Sequence, residues 1–307
     1  MFSTISSSLL ALGTLTSLVS SLVIPGITPP SQSQPDPLLS IYGPLPVTAT
    51  INSTFAVVPI SLSEARERIP SQYGILTAAY QALLPGWPSD MYPLIVTIGL
   101  EHDIHGFLID IPDFTSFRIS YPFVDLLNDN HTSFLYSPFE FMNVSPVGVL
   151  GLDVYGVSTF LATNNPPSDP YAYISASHSP APGEVFSNWN SLALGETNFP
   201  TASMKLTPSG TTDIPWNFVR NVTNQPFTGN GLICDNQIRI FNTSLTAAPY
   251  DPVPVTGTVY LNSILSDQKV NTNNAKGWLF AAAFLENNFI PCGLLQGYSG
   301  TGSGDSQ

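Results

Sequence analysis

The sequence predicts a mainly β protein of the α+β type: a single antiparallel β-barrel or sandwich domain with one or two short helices near its start. Three observations carry this. Runs of β-branched and aromatic residues recur along most of the chain, and Pro, Gly, Asn and Asp punctuate nearly every gap between them. No internal repeat and no second linker divides residues 45–296, a length that all-β sandwiches and barrels do reach as one domain. Only 9% of the 307 residues are charged, while Ser, Thr, Asn and Pro abound, as on a neutral-polar surface exposed outside the cell.

The elements follow in order. Residues 1–24 hold no Asp, Glu, Lys or Arg, and their apolar core at 9–23 is broken by Thr, Ser and Gly. That core is too short and polar for a membrane span, which needs about 20 apolar residues. Residues 1–21 therefore read as a secretory signal peptide cut near Ser21, although its start lacks positive charge; a buried N-terminal helix is the alternative. Residues 22–44, rich in Pro, Ser and Gln, read as a stiff extended linker. Ser61-Leu62-Ser63-Glu64 forms a capping box ahead of a helix that Pro70 stops. A second short helix is expected over 74–84, ended by Pro85-Gly86. Strands are expected over 94–100, 106–111, 117–124, 132–141, 147–154 and 157–162, then 231–242, 253–261, 278–284 and 289–295. Residues 297–307 form a flexible Gly/Ser tail without a strand before its glycines or a helix after them, so it is no nucleotide loop, and no membrane anchor is expected.

Four sequons, at Asn52, Asn130, Asn221 and Asn242, support a secreted, extracellular glycoprotein; a fifth at Asn143 is followed by Pro146 and is poorer. In an oxidising compartment the two cysteines, Cys234 and Cys292, most simply form one disulfide, the alternative being two buried free thiols. With 8 Lys plus Arg against 21 Asp plus Glu, the chain lacks the clustered cations that nucleic acid requires. The same balance names no protein partner and sets no oligomeric state.

Familiar catalytic patterns are missing. The sequence contains no GxSxG, no HExxH, no P-loop and no CxxC. His102-Asp103-Ile104-His105 invites a metal reading, but on a strand Asp103 and His105 alone would share a face, too few for zinc. A polar hairpin turn is the plainer expectation; His131 and His178 have no partners in sequence. No metal and no cofactor are expected. Among carboxylates, Asp110, Asp113, Asp125 and Asp129 read as turn residues. Glu140, between Phe139 and Phe141, and Asp153 are the catalytic candidates, because an acid turned into a barrel has its pKa raised by desolvation.

The stretch GLDVYGVST, residues 151–159, sets a glycine, an acid two residues on, and an aromatic-glycine step between apolar runs. It resembles the central motif of the acetoacetate decarboxylase superfamily, which reads roughly Gly-Arg-Glu-x-x-Gly-x-Pro-Lys. Ala82-Leu83-Leu84-Pro85 resembles that family's helix-ending turn, and residues 120–143 resemble its strand pair, so the likeness spans 57–173. It implies that Gly151, Asp153, Tyr155 and Gly156 fill the glycine, acid, aromatic and second glycine positions. Leu152 stands where the family has Arg, Ser158 where it has Pro, and Thr159 where it has the lysine that condenses with a substrate carbonyl. A threonine hydroxyl cannot form an imine. Of the lysines, Lys269 and Lys276 sit in polar stretches, leaving Lys205 as a substitute amine.

The resemblance therefore implies a secreted barrel that binds or transforms a small carbonyl or carboxylic molecule in an apolar cavity without imine chemistry. Phe134, Tyr136, Phe139 and Tyr155 would line it, with Gly151, Gly156 and Thr159 beside them and Arg118 as carboxylate clamp. Two alternatives stand: imine chemistry through Lys205, and a non-catalytic glycoprotein of the cell surface or wall. A small-molecule ligand is the expected partner in the first two.

Overall fold

The computed structural model describes residues 31, 34–143, 145–174, 183–192, 201–262 and 269–298. The expected signal peptide, His178 and the tail after Tyr298 lie outside these residues. Fourteen strands form one sheet: β1 Val47–Ser61, β2 Gly74–Ile75, β3 Met91–Gly106, β4 Ile109–Ile111, β5 Phe114–Asp125, β6 Phe134–Met142, β7 Ser158–Asn165, β8 Ala172–Tyr173, β9 Val185–Ser191, β10 Ala202–Pro208, β11 Phe227–Thr228, β12 Ile233–Ile240, β13 Val253–Leu261 and β14 Val270–Pro291. Among the described residues five α-helices accompany them: α1 Leu39–Tyr42, α2 Leu62–Arg68, α3 Thr77–Leu83, α4 Pro146–Val154 and α5 Trp216–Thr223. Among the described residues no helix is long and apolar enough to cross a membrane.

The pairings close two circuits. One runs β5–β3–β1–β14–β12–β11–β6 and back to β5. The other leaves β6 through β7, β9, β10 and β13 to β14, and returns through β1, β3 and β5. Two barrels thus share the wall β14–β1–β3–β5–β6. The sheet is mixed, because β6 pairs in parallel with both β7 and β11, whereas the expectation was antiparallel.

The shared wall explains what sequence patterning misses. Every residue of β1 from Val47 to Val58 is buried, including Thr48, Thr50, Asn52, Ser53 and Thr54. A strand with an interior on each side has no polar-out face, so period-2 alternation disappears. Likewise the strand expected over 278–284 and the start of that expected over 289–295 belong to one strand, β14, whose first part pairs with β13 and last part with β12, while Cys292–Leu295 form a 3-10 helix instead.

Local signals fare better. Ser61 caps α2, its hydroxyl accepting from the Glu64 amide at 3.1 Å. The run expected as a strand over 147–154 is instead α4. Ser145 caps it, accepting from the Gly148 amide at 3.3 Å, and Pro146 opens its first turn. An all-apolar run carries no period that separates strand from helix. Helices also occur later in the chain than expected, at α4 and α5.

The segment expected as linker is folded where it is described. Gln34 donates to the Tyr250 hydroxyl at 2.8 Å, Thr48 donates to Asp36 at 2.6 Å, and Leu38 is buried. Ser31 receives a hydrogen bond from Asn52 at 3.0 Å and its amide donates to Asp169 at 3.0 Å. Asn52 is therefore buried inside β1, where a glycan has no room; Asn130 and Asn242 are exposed, and Asn221 sits half-buried on α5 bonded to Gln225. Cys234 and Cys292 are joined, Cα to Cα 5.1 Å, closing a 58-residue separation that is worth about 4 kcal/mol in the chain-entropy picture.

Candidate functional site

A cavity of about 380 Å³ opens at one end of the first barrel. Residues from β3, β5, β12 and β14 form its polar part: Glu101, Arg118, Asp235, Gln237, Glu286 and Asn288. Their positions follow from register. Glu101, on the barrel-facing side of β3, and Arg118 on β5 sit on adjacent strands, and Gln237 lies opposite Glu286 across the β12–β14 ladder. Asp235, Gln237 and Arg239 share one face of β12 by simple alternation.

Arg118 is the hinge of the arrangement. Its Nε donates to Glu140 at 2.6 Å, a cross-strand pair in which Glu140 is fully buried. The guanidinium lies 4.4 Å from the centre of the Phe227 ring. Behind it, Arg118, Phe227 and Gln237 also border a second space of about 30 Å³, lined further by Ser120, Gln225 and Arg239, a volume on the scale of one or two waters. Val222 and Thr223 of α5 line that space from the far side.

Four carboxyls and two guanidiniums thus meet where water is scarce. Burial pushes the Glu101 carboxyl up to about 7, with Glu286 adding repulsion and Arg118 opposing it. Burial raises Asp235 well above the carboxylate range, reinforced by its hydrogen-bonded neighbour Glu286. Arg239 falls to about 10, chiefly through burial, and its Nη1 has no hydrogen-bond partner. Burial also disfavours the Arg118 cation, yet Glu140, Glu101 and Asp235 together hold it above its usual value. Below about pH 7, then, Glu101 is mostly a protonated donor beside the guanidinium, and burial favours the proton on Asp235 as well.

GLDVYGVST supplies the cavity's edge, and its shape has a local cause. The Gly156 amide donates to Asp153 O at 3.0 Å and the Val157 amide to Leu152 O at 3.1 Å, the paired closing bonds of a Schellman helix end. Gly156 sits at φ +74, and a Cβ there would meet the Asn230 Cβ at 2.4 Å. Val157 and Leu152 pack in one cluster, completing the motif. The stretch is therefore a helix terminator leading into β7, where the expectation was a turn between strands.

The expected site residues divide accordingly. Arg118, Gly151 and Tyr155 line the cavity; the buried Tyr155 hydroxyl donates to Asn288 at 2.5 Å, and burial raises its pKa, with Asp235 and Glu286 adding to the effect. Glu140 lies outside the lining and holds Arg118. Asp153 is exposed on the last turn of α4, and Gly156 is exposed; neither lines the cavity. Thr159 stands half-buried opposite Glu140 in the β6–β7 ladder, one strand removed from Arg118. Phe134, Tyr136 and Phe139 pack in core clusters, and the cavity's aromatics besides Tyr155 are Phe107, Phe114, Phe227 and Phe289. The HDIH stretch lies within β3 rather than in a turn. His102 pairs with Asp103 and His105 with Asp110, each at 2.7 Å, and the hairpin turns at Phe107-Leu108.

All three lysines are outside the lining. Lys205 is exposed and paired with Glu184 at 2.9 Å, Lys276 with Asp213 at 2.7 Å, and Lys269 is exposed. Among the described residues no group of three or more His, Cys, Asp or Glu is placed to hold a metal ion.

No protein-family model matches the chain, and no curated protein sequence matches it. Solved structures do. The enduracididine biosynthesis enzyme MppR complexed with pyruvate superposes with TM-score 0.51 at 10% identity, covering 81% of this chain and 91% of that one. MppR with HEPES buffer bound gives 0.50 at 9%, covering 81% and 88%. An acetoacetate decarboxylase from Legionella pneumophila overlaps less, at 0.45 and 9% identity, covering 92% and 98%. The likeness to MppR, at 10% identity, shows the fold.

Proposed function

We propose that the protein binds a small carboxylic or carbonyl compound in this cavity, with Arg118 as the anion clamp, and that any transformation proceeds without a Schiff base. The observation that carries this is Arg118 itself: a largely buried guanidinium, its side chain 14% exposed, held by Glu140 at the polar end of an otherwise apolar cavity, with no lysine in the lining. A guanidinium offers a carboxylate charge-assisted hydrogen bonds. Protonated Glu101 and Asp235 can donate to the same ligand, where ionised acids would repel it. That MppR was seen with pyruvate supports a ligand of this size class in this fold.

The test is direct. Incubation with a 2-oxo acid and borohydride, followed by intact-mass measurement, is expected to leave the mass unchanged, while calorimetry detects carboxylate binding that Arg118→Gln abolishes. A reduced adduct on any lysine, or full affinity in Arg118→Gln, would overturn the reading. We also propose export: the Cys234–Cys292 bond suits an oxidising compartment, and exposed Asn130 and Asn242 suit glycans. Peptide mapping of protein secreted from a glycosylating host is expected to find glycan at Asn130 or Asn242 and none at Asn52.

A further inference from the structure

The cavity has two unlike ends. Its floor is the cluster around Arg118; its mouth is rimmed by bulky apolar side chains that face solvent. Leu150 is 67% exposed, Phe107 59% and Phe289 49%, with Val147 and Val154 beside them, and all five line the cavity. They come from three separate elements: α4, the β3–β4 tip and β14. Single exposed apolar residues are ordinary, but a ring of them around an opening marks a surface that meets an apolar partner.

The backbone adds an independent observation. Phe107 at φ 54, Leu108 at φ 68 and Phe289 at φ 60 all occupy the left-handed region, which bulky L residues rarely adopt and which glycine would enter freely. Phe289 uses that conformation to stack on Tyr155, ring centres 5.7 Å apart and planes at 21°. Held strain at a ligand-facing position points to a use for it. Here it keeps large apolar groups at the rim where folding alone would favour hiding them.

We propose that the ligand is an amphiphilic monocarboxylate, its charged end against Arg118 and its acyl chain leading out between α4 and the β3–β4 tip. This rests on the reading of the site given above and narrows it from small carboxylates to acyl-chain acids. Charge complementarity chooses the acid: a fixed guanidinium lies at the floor, while the wall toward the mouth is formed by Ile104, Ile111, Phe114, Leu152 and Val154. A wholly polar ligand would leave that wall unpaired, and a wholly apolar one would leave Arg118 without a partner on the cavity side.

The test is calorimetric titration of the full protein with butanoate, hexanoate, octanoate and decanoate below their micellar concentrations, and with the matching primary alcohols. Affinity is expected to rise about fourfold per added methylene, the equivalent of about 0.8 kcal/mol for each buried CH₂. Leu150→Asn and Phe107→Asn, both exposed in the wild type and so compatible with folding, are expected to flatten that rise. Acids that bind with no dependence on length would overturn this inference and leave the carboxylate reading intact. Alcohols binding as tightly as acids would overturn the carboxylate reading and leave the apolar exit standing. No binding by any member of either series would end both.

Discussion

The two faces of β5 lead different lives. Arg118 and Ser120 point into the first barrel, where they meet Thr97, Gln225, Gln237 and Arg239 around unfilled space. Phe117, one residue away, points into the second, where its ring lies 6.1 Å from Phe141 and 6.3 Å from Trp189, all fully buried. The same strand thus separates an interior that holds a charged cluster from one of packed rings. Packed rings stabilise the second barrel by removing area from water. Desolvated charges in the first cost stability unless paired, which fits the ligand site proposed for it.

Breaking either side should separate the two roles. Glu140→Ala leaves the Arg118 cation buried without its partner; we expect a loss of about 3–5 kcal/mol in denaturant unfolding, together with loss of carboxylate binding. Trp189→Ala, on the other face, is expected to cost a similar 3–5 kcal/mol by cavity formation while leaving ligand affinity unchanged. Equal effects of both variants on affinity would mean that the two interiors are not independent.

Glu101 sharpens the contrast through pH. Its carboxyl rises from 4.5 to about 7, so between those values the native state keeps a proton that the unfolded chain has released. Stability therefore falls as pH climbs through that window, by up to about 3 kcal/mol, and the cost persists above it. Glu101→Gln is expected to stabilise the protein at pH 8 by that order and to have little effect near pH 4, read as the unfolding midpoint against pH. Smaller effects belong to local geometry. Gly156→Ala is expected to cost at least about 1–2 kcal/mol from its positive φ, plus the clash with Asn230. Ser61→Ala should cost about 1 kcal/mol for the lost cap of α2.

What could be read from the chain follows the range of the interaction. The cap of α2 is written within four residues, and it formed as expected. β12 and β13 were visible as strand runs, but β1, buried on both sides, was not, and β9 and β10 were also missed although their buried positions alternate. The site divides the same way. Arg118, Tyr155 and Gly151 were reachable through the resemblance of GLDVYGVST, whereas Glu101, Asp235 and Glu286 come from three distant strands that only the closed circuit assembles. One signal was present: Asp235, Gln237 and Arg239 alternate within the run ICDNQIRIF, whose other residues are apolar except Asn236, in a chain with few charges. That spacing on a strand puts all three on one face, and a charged face closed inside a barrel has to be a site or a liability.

On the reading proposed, the first barrel holds a carboxylate on Arg118 and nothing covalent. Titrating carboxyl-¹³C hexanoate into wild-type protein and into Arg118→Gln, with the bound resonance followed by NMR, tests it most directly. A shifted bound carboxylate signal in the wild type that disappears in Arg118→Gln is the predicted result. The same bound signal persisting in Arg118→Gln would contradict the account.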